Sequence, residues 1–185
     1  VTSRRSLWFY LHNIQAAHKA GCKVQMYGCG IGPVLREQHR KLAASVLNAS
    51  VDVITLREPD SLKELQSMGV TKPEILLTAD PALTLPAASE DEIDSVLLRA
   101  GIPTHGKYLC FALRNWKGFE DKAPLFAQAA KYAYETYGLT PVFLSINFRT
   151  DGEASQLVTE HLSIPFYTLD EQMSTGEVIG VLRYV

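Results

Sequence analysis

A chain of 185 residues with 46% hydrophobic side chains can bury a core as one or two domains, which excludes a disordered or fibrous protein. Eighteen basic against twenty acidic residues leave a formal charge of −2, which argues against nucleic acid as a partner and makes any anion site local. Cys22, Cys29 and Cys110 form no CxxC pair, and no apolar run reaches the roughly 20 residues of a transmembrane helix, so the reading is a cytoplasmic protein.

In chain order, Ser3 caps a predicted helix whose Leu7, Tyr10, Leu11, Ile14 and Ala17 recur at helical spacing, and Gly21 stops it. A strand is predicted over 23–27, then a glycine turn Gly28-Cys29-Gly30-Ile31-Gly32-Pro33, then a helix over 35–49. A buried-type strand over 51–56 precedes a helix over 61–68 with a capping box from Ser61 to Glu64, and a strand over 75–78 ends at Asp80-Pro81. Between 84 and 92 the composition turns to proline, small and acidic residues, and the alternation restarts: a helix through Ala100, strand 108–113, helix 122–137, strand 141–146, helix 152–162 and strand 165–168. A last helix opens with the capping box Ser174 to Glu177. Strict helix–strand alternation predicts an α/β fold of two Rossmann-like domains, 1–86 and 87–185. The chain lacks an initial Met and ends in an apolar periodic stretch, so both domains read as incomplete, cut through ordered structure.

Ligands of open parallel sheets collect at the carboxyl ends of strands, so the residues just after each strand are the informative ones. Gly28, Gly30 and Gly32 let the backbone approach a ligand and bring the next helix's N-terminus toward an anion; plain strand-to-helix geometry is the alternative. Arg57 ends the second strand, where it either meets a ligand or holds the turn in an Arg–carboxylate pair. Asp80 ends the third, as ligand contact or turn starter. Arg114-Asn115-Trp116-Lys117 follows the first strand of the second domain and gathers a forked cation, an amide, an aromatic plane and a second cation, which suits a phosphate and a carboxylate. An exposed loop with a snorkelling arginine is the other reading. Asn147 and Arg149 repeat the pattern more faintly. No histidine pair has metal-ligand spacing and no GxSxG is present, so no metal, cofactor or Ser-His chemistry is expected.

Taken together, Ser6-Leu-Trp-Phe-Tyr-Leu11, Tyr27-Gly-Cys-Gly-Ile-Gly-Pro33, Ile54-Thr-Leu-Arg-Glu-Pro-Asp-Ser61, Met68-Gly-Val70, Thr78-Ala-Asp-Pro81 and Leu113-Arg-Asn-Trp116 resemble the polysaccharide pyruvyl transferase family, in its CsaB-like branch. The resemblance implies a two-domain fold like that of GT-B glycosyltransferases, with the active site in the cleft between domains. It implies transfer of pyruvate from phosphoenolpyruvate, as a ketal, to a sugar of a cell-wall polysaccharide precursor; in that branch the product anchors surface-layer proteins. Arg114 matches a family arginine that meets the donor. Gly30, Gly32, Arg57, Asp80, Asn115, Trp116 and Lys117 are the expected substrate contacts. A lipid-linked acceptor would bring the enzyme to the inner face of the membrane without a span. The family's second donor-binding segment, Arg-Leu-His, has no counterpart in the chain, so the 185-residue piece is expected not to turn over by itself. A nucleotide-sugar glycosyltransferase of the same shape and a non-catalytic sugar- or nucleotide-binding module are the alternatives.

Overall fold

The computed structural model describes residues 4–185, and the chain divides into two compact units, Val1–Leu85 and Pro86–Val185. Ser3, the expected cap of the first helix, lies outside the described residues.

The first unit runs α1 (Arg4–Lys19), β1 (Gln25–Cys29), α2 (Glu37–Ser50), β2 (Val53–Leu56), α3 (Pro59–Ser67) and β3 (Glu74–Leu77). Its three strands are parallel in the order β1-β2-β3. Ile54 and Leu56 of β2 are fully buried against Leu47 of α2 and Leu65 of α3, which is what a near-continuous apolar strand in a helix-covered sheet requires. On α1, Leu7 and Leu11 pack on Ala43 and Val46 of α2. Tyr10, expected in that stripe, is exposed because it falls at the stripe's flank.

β1 is shifted two residues later than its sequence suggests. The Val24 amide donates to Asp52 Oδ2 at 2.8 Å, which fixes the strand's entry, and Gly28, at φ +59°, carries the chain through an irregularity in register before Cys29. α3 starts at Pro59, whose preset φ suits the first helical turn, so Ser61 and Glu64 do not form the expected capping box. Both side chains are used elsewhere, as described below.

The second unit runs α4 (Glu90–Arg99), β4 (Tyr108–Phe111), α5 (Ala123–Tyr137), β5 (Thr140–Leu144), α6 (Gly152–Thr159), β6 (Tyr167–Leu169) and α7 (Thr175–Tyr184), with parallel strands in the order β4-β5-β6. β5 shows the two-faced burial of a sheet covered on both sides. Val142 and Leu144 meet Val96, Leu97 and Val181 of α4 and α7, while Phe143 between them meets Ala127 of α5 and Val158 of α6. Ser174 and Glu177 close the expected capping box on α7, and Ser89 with Glu92 closes a second on α4 that the sequence reading passed over. α5 ends on Gly138 at φ +67°. The protein is thus a mixed α/β molecule of two parallel three-stranded sheets alternating with helices.

Candidate functional site

Parallel pairing sends the carboxyl ends of β1, β2 and β3 to one edge of the first sheet, so Gly28–Pro33, Arg57–Ser61 and Thr78–Pro81 gather there. Gly28 donates its amide to Thr55 Oγ1 at 2.7 Å, and a side chain in its place would run into the Pro81 ring. Gly30 lies against the next strand end: a Cβ there would sit 3.1 Å from Glu58 Oε1 and 3.2 Å from Arg57 Nε. Arg57 Nη1 donates to Asp80 Oδ2 at 2.7 Å, and Asp80 Oδ1 also accepts from the Ala82 amide at 3.0 Å. The Ala82 amide first, and the Arg57 guanidinium second, hold the Asp80 carboxyl below its usual range. The sequence-derived residues Arg57 and Asp80 are therefore partners of each other, and Glu58 instead accepts from the Ser61 hydroxyl at 2.7 Å.

The glycine turn does not hand its chain directly to a helix N-terminus. α2 begins only at Glu37, behind an Arg36 that makes no side-chain cap. The intervening loop is clamped by α3: the Ile31 amide donates to Ser61 Oγ at 2.6 Å and the Val34 amide to Glu64 Oε1 at 3.0 Å, while Arg40 Nη1 reaches the same Glu64 oxygen at 2.7 Å. Four residues therefore separate the half-buried Gly32 from the first residue of α2, so the glycine amides and the helix N-terminus are not adjacent in the chain. At the end of β1, burial pushes the Cys29 thiol up against the lowering effect of Arg57, and in the second unit burial pushes Cys110 to about 11, so neither is poised as a thiolate.

In the second unit, Leu113 anchors the chain in the core beside Phe119, and the next residues leave the protein surface. Arg114 is 58% exposed at its side chain and its Nε lies 3.6 Å from Asp151 Oδ1. Asn115 is half-buried, Trp116 is 63% exposed and Lys117 is exposed; the loop turns at Gly118, φ +78°, and the Phe119 amide closes it on the Trp116 carbonyl at 2.8 Å. Asp151, buried at the entry to α6, is what the sequence reading missed. Its Oδ2 accepts from the Asn147 amide at 2.8 Å and its Oδ1 from the Thr150 hydroxyl at 3.2 Å, so it ties the β5–α6 loop together and turns toward Arg114. The signal was present as an Asp-Gly pair at a helix start, a common turn element whose long-range partner cannot be read from spacing. Arg149 stacks over the Phe148 ring at 5.6 Å, and its amide donates to Asn147 Oδ1 at 3.3 Å. Two loops thus meet at Arg114, a largely exposed guanidinium that faces the Asp151 carboxylate at ion-pair rather than hydrogen-bond distance.

Among the described residues no helix is long and apolar enough to cross a membrane, and no group of three or more His, Cys, Asp or Glu side chains is gathered as a metal site needs. A family model described as polysaccharide pyruvyl transferase matches residues 2–182, across both units. No curated protein matches the chain significantly.

Proposed function

The chain belongs to the polysaccharide pyruvyl transferase family, and from that premise we propose that it takes phosphoenolpyruvate as donor and a saccharide of a cell-wall polysaccharide precursor as acceptor. In this reaction a proton adds to the methylene carbon of the donor, one sugar hydroxyl attacks C2, phosphate leaves with its bridging oxygen, and a second hydroxyl closes the ketal. Such chemistry needs a cation for the donor's carboxylate and phosphate, where negative charge concentrates as phosphate departs. Arg114 is our choice for that cation. Asn115, Trp116 and Lys117 would orient the donor beside it, and Gly30, Gly32, Arg57 and Asp80 are the residues of the first unit that we propose meet substrate.

The observation that carries the reading is the family match over residues 2–182; the exposed guanidinium of Arg114, followed in sequence by an amide, an indole and a lysine, supports its placement. A GT-B-like pairing of the two units and a cytoplasmic location, at the inner membrane face for a lipid-linked acceptor, belong to the same proposal.

Donor choice is the test. Phosphoenolpyruvate titrated into the protein should change the fluorescence of Trp116, with Trp116→Phe as the control that shows the response of Trp8 alone, and a nucleotide sugar should not. Binding of a nucleotide sugar without any response to phosphoenolpyruvate would overturn the proposal in favour of a glycosyltransferase.

A further inference from the structure

The segment Ser6–Leu11 carries three consecutive aromatic residues, and the fold buries none of them. On α1 only Leu7 and Leu11 are buried, while Trp8, Phe9 and Tyr10 are 49%, 64% and 57% exposed. Arg5, Phe9, His12, Ala16 and Lys19 follow one another at spacings of four and three, which sets them in one line along the helix, opposite Leu7, Leu11 and Ile14 and with Trp8 at its side. All six are exposed. Single apolar residues on a surface need no explanation, but two large rings side by side in a line of cations are a surface of defined chemistry.

The charge of the helix says what covers it. The 16 residues of α1 include Arg4, Arg5 and Lys19 and no aspartate or glutamate, in a chain whose formal charge is −2. Among the described residues none of these three cations makes an ion pair, whereas Lys23, just beyond the helix, is held by Asp52 at 3.0 Å. A second copy of the helix is repelled: antiparallel packing would set Arg5 against Lys19, and parallel packing would set like against like. An acidic protein would satisfy the cations, but it would need a groove shaped to take both rings from a convex helix face. A bilayer interface needs no such shape. Tryptophan settles at the level of the headgroups, a neighbouring phenylalanine enters the acyl boundary, and flanking Arg and Lys reach the phosphates.

We propose that this outward face of α1 docks the protein on an anionic phospholipid membrane, with Trp8 and Phe9 in the headgroup layer and Arg4, Arg5 and Lys19 on lipid phosphates. The inference rests on the residues of α1, and it gives a surface to the membrane-face location proposed above. Two rings and three cations make a reversible contact that depends on both the apolar and the electrostatic part.

The test uses the 185-residue chain with Trp116→Phe, which leaves Trp8 as the single tryptophan. Vesicles of phosphatidylcholine mixed with phosphatidylglycerol should shift Trp8 emission to the blue, and lipids brominated in the acyl chain should quench it. Phosphatidylcholine alone should do neither, and high salt should reverse the shift. Arg5→Gln with Lys19→Gln should lower partitioning about 25-fold, about fivefold for each cation. Lys107→Gln with Lys131→Gln changes the net charge equally at exposed positions of the second unit and should leave partitioning as it was. Phe9→Gln should weaken it several-fold with the melting temperature almost unmoved, since the ring is exposed. No shift with anionic vesicles, an equal shift with phosphatidylcholine alone, equal weakening by the two charge pairs, or wild-type partitioning of Phe9→Gln would each overturn the membrane surface. The same shift produced by soluble polyglutamate would overturn it in favour of an acidic protein partner. Phosphoenolpyruvate binding, read at Trp116 in the unsubstituted chain without vesicles, is decided separately: vesicle docking without it removes the donor assignment alone, and the reverse result removes the membrane surface alone.

Discussion

The strand ends of the two units are built from similar parts and left in opposite states. In the first, Arg57 is paired with Asp80, Glu58 with Ser61 and Glu64 with Arg40, and the amides of Gly28, Ile31 and Val34 all donate within the unit. In the second, Arg114 stands exposed at 3.6 Å from its nearest carboxylate. Self-satisfied polar groups fix a backbone; unsatisfied ones are what a ligand can complete. The chemistry is therefore expected to depend most on the second unit's residues, and the proposed substrate contacts of the first unit, Arg57 and Asp80 among them, to contribute less because they are already paired with each other.

The sharpest way to break that contrast is Arg114→Ala. Removing a positioned donor to developing negative charge costs on the order of 10²–10³ in rate, whereas loss of an exposed side chain costs about 0.5 kcal/mol of stability or less. Phosphoenolpyruvate binding should collapse with the melting temperature almost unmoved. Arg114→Lys should also be poor, because a point charge cannot reproduce a bidentate fork. Wild-type donor affinity in Arg114→Ala would remove this residue from the site.

Gly28→Ala probes the first unit's framework. It forces a side chain into a left-handed position and into the Pro81 ring. A cost of at least about 1–2 kcal/mol follows from the backbone alone. Chemical denaturation should register this, while the backbone amides of Gly152 and Ser155 in the second unit keep their wild-type NMR shifts. Equal stability of the variant would show that the strand ends are less tightly packed than the glycine's surroundings indicate.

The smallest effect is expected at the Arg57–Asp80 pair, which is exposed on both sides and therefore largely screened by solvent. Its pH dependence has a definite sign. The folded Asp80 carboxyl titrates below its usual value because of the Ala82 amide and Arg57, so its contribution is complete above about pH 4, the unfolded value, and fades as pH falls through the folded one. Glu92 and Glu177 in the two capping boxes are lowered in the same direction, first by the Ser89 hydroxyl and by the Ser174 amide respectively, so both units should lose stability in acid. Asp80→Asn should flatten only part of that acid slope, measured as melting temperature against pH. Loss of donor binding in Arg57→Ala comparable to that in Arg114→Ala would erase the distinction between the units.

Local signals along the chain determined the elements themselves. Apolar runs such as Val53–Leu56, the left-handed stop at Gly21 and the capping box at Ser174 act over a few residues, so spacing alone reveals them. Arg114 stood out as a candidate for a similar reason, since a forked cation beside an amide and an indole just past a strand is unusual in a plain turn. The pairing of groups far apart in sequence was decided only by the tertiary structure. Ser61 and Glu64 carried a sound capping pattern, yet Pro59 started the helix earlier and freed them to clamp residues 30 positions away. Ser145, Ser155 and Asp170 gave no pattern at all, and Asp151 only the Asp-Gly pair of a common turn, because these residues become neighbours only when parallel pairing brings the ends of β5 and β6 beside α6. Hydrogen bonds form between neighbours in space, and the sequence spacing of these residues does not encode that neighbourhood.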